Sequence, residues 1–142
     1  MYKHILLAID LEDAHSWEKP VNTASEYAKA FGSTLHVVTV VPDFGMSIVG
    51  SFFPADYEKK MMETITQKLH AFASEHVPDG INVQHIVALG SIYAEILRVA
   101  AKIKPDLIVM GTHRPNMQDY LIGPNAARVS RHALCSVLIV RD

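Results

Sequence analysis

The sequence predicts an α/β fold: a single five-stranded parallel sheet with helices on both faces. Three observations carry that expectation. Short apolar runs recur along the chain, and most lack the polar alternation of a half-exposed strand, as strands buried on both faces do. Between them, apolar residues recur at helical spacing. The two patterns alternate as β-α-β-α-β-α-β-α-β, an order that right-handed crossovers turn into a parallel sheet.

The first strand is the run Ile5 to Ile9, stopping at Asp10. A polar loop, LEDAHSWEKP, follows, with Pro20 suited to the first turn of a helix. Val21, Ala24, Ala28 and Phe31 line one face of that helix, and Gly32 is a natural stop. Leu35 to Val41 is β-branched and apolar, a second buried strand. The stretch PDFGMSIVGSFFP is irregular and long; its Phe44, Met46, Ile48, Phe52 and Phe53 suit a lid, a partner contact or a loop folded over the sheet edge.

Tyr57, Met61, Ile65, Leu69, Phe72 and His76 mark a second helix of about five turns. After the turn Pro78-Asp79-Gly80, the segment Asn82 to Leu89 alternates, as a strand nearer the sheet's edge would. Ile92, Ile96, Ala100 and Ile103 form a third helix face; Lys102 and Lys104 complement its dipole, and Pro105 ends it. Asp106 to Met110 is the fourth strand, broken at Gly111. Gly123-Pro124-Asn125 opens a fourth helix with Ala126, Val129 and Ala133 on one face, and Ser136 to Val140 is the fifth strand.

Composition narrows the function classes. The 142 residues suit one domain, 49% hydrophobic and 20% charged, too apolar for disorder. A net charge of −2 argues against nucleic acid as partner. A single cysteine, Cys135, excludes an internal disulfide and suits a reducing cytoplasm. The apolar run after Met1 is too short for a signal peptide, and no segment has the length of a membrane span, so the expectation is a soluble cytoplasmic domain.

The segment Asp106 to Val129 concentrates the chemistry. A strand ending in glycine and a second glycine at a helix start bare backbone N–H groups, and the helix dipole adds a positive end, so phosphate is the expected ligand. Ligands of open α/β sheets sit beyond the carboxyl ends of the strands where the winding reverses. If the first and fourth strands are neighbours, Asp10 and the Gly111 loop face one crevice. There is no G-x-x-x-x-G-K-[ST] and no G-x-G-x-x-G, which excludes a P-loop or a dinucleotide fingerprint. A phosphorylated receiver would need a lysine after the last strand, and SVLIVRD has none. The histidines His4, His15, His36, His70, His76, His85 and His132 show no H-x-x-x-H spacing or nearby cysteine pair for a transition metal. Cys135 reads as a small hydrophobe, and Trp17 as a partner contact or a local staple.

Four segments, KHILLAID, VTVVPD, DLIVMGTH and GPNAARVSRHALCSVLIVRD, together make the chain resemble the universal stress protein family over essentially its whole length, as one domain spanning residues 1–142. The resemblance implies a Rossmann-like sheet of the adenine nucleotide alpha hydrolase type. Nucleotide-binding members of that family carry G-x-x-G, about nine residues, then G-[ST]. Here Gly111-Thr112-His113-Arg114 and Gly123-Pro124-Asn125 stand at those places, with two departures. Arg114 replaces glycine, similar to short bacterial members reading G-S-R-R-P, and arginine offers phosphate charge-assisted contacts. Pro124 replaces serine or threonine, removing a hydroxyl and an N–H.

By resemblance, Ala8, Ile9 and Asp10 meet the adenosine end, Asp10 lying near ribose or metal. Val40 presents backbone to adenine, and Met110 packs on the base. Gly111, His113, Arg114, Gly123, Pro124 and Asn125 surround the ribose and phosphates. The implied ligand is ATP with Mg²⁺, in a nucleotide-responsive regulator, and the implied assembly is a homodimer paired through Ser136–Val140. The alternatives are a nucleotide-independent dimeric interaction protein and a slow Mg-ATP hydrolase; against the latter, no general base or paired carboxylates converge on the loop.

Overall fold

The computed structural model describes residues 1–42, 57–112 and 123–141. Five strands, β1 (His4–Ile9), β2 (Thr34–Val41), β3 (Asn82–Leu89), β4 (Leu107–Gly111) and β5 (Ser136–Val140), alternate with helices α1 (Glu18–Phe31), α2 (Tyr57–His76), α3 (Ile92–Ile103) and α4 (Pro124–His132). A 3-10 turn, Ala14–Ser16, precedes α1. All strand pairs are parallel, in the order β3-β2-β1-β4-β5. The winding therefore reverses between β1 and β4, which are direct neighbours with Leu7 opposite Val109. The conditional adjacency of Asp10 and Gly111 is met.

Alternation along the strands separates two apolar layers. Ile5, Leu7, Ile9, Leu35, Val37, Leu107 and Val109 face α1 and α2, where Val21, Ala24, Ala28, Leu69 and Phe72 meet them. Leu6, Val38, Ile108 and Met110 face α3 and α4, against Ile96, Val99, Ala126 and Val129. Strands β1, β2 and β4 are covered on both faces and read as largely apolar runs for that reason, with His36 and Thr39 as buried polar residues of β2. Strand β3 lies at one edge and β5 at the other.

Several local expectations are sharpened. Gly32 takes the left-handed conformation, φ 65°, that ends α1, where a side chain would be strained. Lys104 does the same for α3 at φ 52°, with Pro105 next in line to forbid another turn. Asp106 lies just before β4 instead of within it: its carboxylate accepts from the backbone N–H of His4 at 2.7 Å and of Lys3 at 3.2 Å. Those two bonds hold its carboxyl below the usual range against the opposing effect of burial.

Several residues placed on helix faces by spacing stand partly outside the core, Met61 and Ile65 of α2 being only half-buried. Phe31 is 37% exposed, packing instead on Tyr2 and Tyr27, and Tyr57 in the first turn of α2 is 38% exposed. Trp17 is a local staple: its ring packs on Phe72 at 4.9 Å and His76 at 4.4 Å, tying the start of α1 to α2. Cys135 is half-buried, and burial, with the charge of Asp106 adding, pushes its thiol upward. The aromatic and aliphatic residues Phe44, Met46, Ile48, Phe52 and Phe53 fall outside the described residues.

Candidate functional site

Where β1 and β4 end side by side, the backbone has to diverge, because β1 leads into α1 on one face and β4 leads toward α4 on the other. The gap is a crevice of about 430 Å³. Its floor is apolar: Ala8, Val38, Val40 and Met110 belong to the strand positions that face α3 and α4, and Ile92 and Ile96 close it from α3. Val40 lies one residue past Thr39, the last β2 residue paired with β1, while β2 continues beside β3 to Val41. This brings the backbone edge of β2 to the crevice. Such a slot, one strand edge beside a flat apolar floor, suits a planar heteroaromatic ring.

The rim is polar. Asp10, Glu12, Asp13 and Ser16 line it from the loop after β1, Gly111 from the end of β4, and Asn125 from α4. Asp10 sits in a tight turn, its Oδ1 accepting from the N–H of Glu12 at 3.0 Å and its carbonyl from the N–H of Asp13 at 3.1 Å. Opposite, α4 begins at Gly123, whose carbonyl accepts the first helical bond, from Ala127 N–H at 2.9 Å. The N–H groups of Asn125 and Ala126 precede that bond and have no acceptor within the helix, a donor pair suited to an anion. Pro124 is the first helical residue and is exposed. Its ring fits there, and it brings no N–H.

The residues expected from sequence are thus largely gathered. Ala8, Ile9, Asp10, Val40, Met110, Gly111 and Asn125 line one crevice, with Gly123 and Pro124 leading directly into Asn125. The side chain of Ile9 belongs to the opposite apolar layer, so its share in the rim is that of its main chain. Gly111 has a second reason to be glycine. A Cβ there would stand 2.9 Å from the Ser16 carbonyl oxygen and 3.2 Å from Pro20 Cγ. His113 and Arg114 lie outside the described residues.

Val38, Ile92, Ile96, Pro42, Glu12, Asp13 and Ser16 also line the crevice without having been singled out. Their periodicity marks Ile92 and Ile96 only as core positions; the additional signal is that both belong to the first turns of a helix that starts beside the strand ends. A second hollow, of about 500 Å³, lies at the amino end of the sheet among Leu97, Ala100, Lys104, Pro105, Leu134 and Cys135. It is aliphatic and away from the switch point, so the chemistry favours the first. Among the described residues no three His, Cys, Asp or Glu side chains form a metal-binding group, and no helix is long and apolar enough to cross a membrane.

Comparison with known proteins agrees with this architecture. The profile of the Universal stress protein family matches residues 1–141. Universal stress protein A homolog 1 of Coxiella burnetii is 31% identical, covering 98% of this chain and 96% of its own. Universal stress protein G of Shigella flexneri is 29% identical, covering 99% and 100%. Among solved structures, a universal stress protein in complex with cAMP superposes with a TM-score of 0.63 at 19% identity, covering 99% of this chain and 97% of that one. The universal stress protein from Archaeoglobus fulgidus in complex with dAMP gives 0.64 at 19%, covering 97% of each. At these identities the two structures speak for the fold.

Proposed function

The chain belongs to the universal stress protein family, and from that premise we propose that it binds an adenine nucleotide, ATP with Mg²⁺, in the crevice between β1 and β4. The observation that carries this reading is the meeting of an apolar slot (Ala8, Val38, Val40, Ile92, Met110) with the free N–H end of α4 across a rim bearing Asp10. The base lies in the slot, the ribose beside Asp10, and the phosphates run toward Gly123, Asn125 and Ala126, with Arg114 and His113 as further phosphate contacts. The nucleotide complexes of the two related structures, with cAMP and dAMP, support adenine as the base.

Three carboxylates, Asp10, Glu12 and Asp13, line the rim, and a triphosphate beside them is repelled unless a divalent cation accompanies it. Mg²⁺ suits this donor set because it keeps most of its waters and binds through one or two carboxylates plus phosphate. It supplies charge neutralisation, while the chain's own groups orient the nucleotide. The role is that of a nucleotide-responsive regulator in the cytoplasm, in keeping with the single cysteine.

We also propose a homodimer formed through β5. It is an edge strand whose Val137, Leu138, Ile139 and Val140 are only half-buried, and an apolar edge of this kind is a hazard unless another strand covers it.

Mass spectrometry of small molecules released from freshly purified protein, followed by titration with ATP and Mg²⁺, tests the ligand. ATP in the released fraction and saturable binding support the reading. No released nucleotide and no thermal shift at millimolar Mg-ATP would leave the nucleotide-independent interaction protein as the function.

A further inference from the structure

The loop between β1 and α1 carries a serine whose bonding is out of proportion to its size. Ser16 Oγ donates toward the carbonyl of Asp13 at 2.7 Å and lies 3.1 Å from the carbonyl of Asp10. It also accepts from the N–H of Asp10 at 3.1 Å. The backbone N–H of Ser16 donates to the Asp13 carbonyl at 2.9 Å. One hydroxyl therefore ties down both ends of the Asp10–Asp13 turn, whose carboxylates form the rim of the crevice. The carbonyl of the same residue packs against Gly111 at the end of β4, on the α1 side, so closely that a Cβ on Gly111 would approach it to 2.9 Å.

We infer that Ser16 is the positioning residue of the nucleotide site, clamping the Asp10 turn against the end of β4 at Gly111 and so setting the width of the crevice. This rests on the crevice being the nucleotide site. A hydroxyl is needed because only a group that donates and accepts at once can take the N–H of Asp10 and the carbonyl of Asp13 together. Glycine is needed opposite because any side chain on β4 at that height pushes the turn outward. Ser16 does not itself touch phosphate in this assignment; it acts through Asp10 and Gly111, and a ligand held between two walls loses affinity when the walls are no longer preorganised.

The test pairs a ligand readout with a ligand-free one. Affinity for a fluorescent ATP analogue with Mg²⁺ is measured for wild type, Ser16→Ala, Ser16→Thr, Gly111→Ala and the double variant Ser16→Ala/Gly111→Ala, well below their unfolding temperatures. Thr64→Ala, which removes a hydroxyl bonded to the Lys60 carbonyl on α2, serves as the control. Ser16→Ala is expected to weaken binding roughly tenfold, Ser16→Thr to recover most of it, and the double variant to be no weaker than the worse single, because both break one clamp. In the absence of nucleotide, amide exchange over residues 10–17 rises in Ser16→Ala and not in Thr64→Ala. Wild-type affinity in Ser16→Ala, equal losses in the alanine and threonine variants, or unchanged exchange overturns the assignment. A wild-type chain that binds no nucleotide, with exchange responding as expected, overturns the nucleotide reading and the positioning role together while leaving the clamp as local structure.

Discussion

The imidazole of His85 on β3 stacks on that of His70 on α2, with ring centroids 3.6 Å apart and planes 23° from parallel. The contact fastens α2 to the sheet edge, and it tolerates only limited charge. Burial, and then the proximity of His70, lower the His85 pKa from its ordinary 6.5. Opposite His85 on β2 stands Val37, and one turn from His70 on its own helix stand Thr66, Gln67, Ala73 and Ser74, none of them charged. On the other face, His36 is lowered likewise. Burial is the main cause, the hydrogen bond with Gln84 opposes it, and the charge of His4 adds to it.

A lowered histidine means that the folded chain holds fewer protons than the unfolded chain near and below pH 6.5. Stability from these histidines is complete above about pH 6.5 and is lost as the pH falls through that value toward the folded pKa. The melting temperature is expected to drop between pH 7.5 and pH 5.5, before carboxylates titrate. His85→Gln removes one titrating member of the stack and should flatten that slope. An identical slope in His85→Gln would show that the stack contributes nothing to it.

Pro124 is where the site departs most from a full set of phosphate donors. It is exposed at the first helical position, with Gly123 as an unassisted N-cap. Pro124→Ser restores one N–H and one hydroxyl at the end of the dipole, each worth a net factor of about 2 to 10 when it meets an anion. With at least one of the two engaged, ATP affinity should rise at least about twofold by isothermal titration while AMP affinity changes less. Equal gains for both nucleotides would place the added donors away from the outer phosphates.

The layered sheet was legible because β1, β2 and β4 are buried on both faces and show it as apolar runs, interrupted in β2 only by His36 and Thr39. The neighbourhood of Asp10 and Gly111 followed once the winding was granted. Other features depend on register, which spacing does not encode. Val38 and Ile96 read as core, and are core; that they also floor the crevice depends on how high each stands along its element. The pairs His4–His36, with nitrogens 3.1 Å apart, and His70–His85 join residues on different elements, so no local motif announces them. Ser16 sat in a polar loop, and only the folded turn reveals the work its hydroxyl does.

The apolar floor makes a separate prediction from the phosphate end. Ala8 is half-buried and is the smallest side chain on that floor. Ala8→Leu projects three more carbons into the slot from a strand fixed on both sides by β2 and β4. Binding should fall by tenfold or more, for adenosine as strongly as for ATP, because it is the base that is displaced. The melting temperature should change little, since the added atoms enter open space and not a packed core. Unchanged adenosine binding would move the base out of this slot.

The edge strand gives the last prediction. Ile139 is half-buried against the α3–α4 layer, and its strand is paired only on the β4 side among the described residues. In an isolated chain, Ile139→Lys costs little, since the long side chain can run along the surface and keep its ammonium in water. In a dimer joined through β5 each copy would bring one such charge to the same isologous contact, where like charges oppose pairing. Sedimentation velocity is expected to show a dimer for wild type and a monomer for Ile139→Lys, with the same far-ultraviolet circular dichroism. A variant that stays dimeric would put the contact on another face, and a monomeric wild type would mean that β5 stands as an unshared edge.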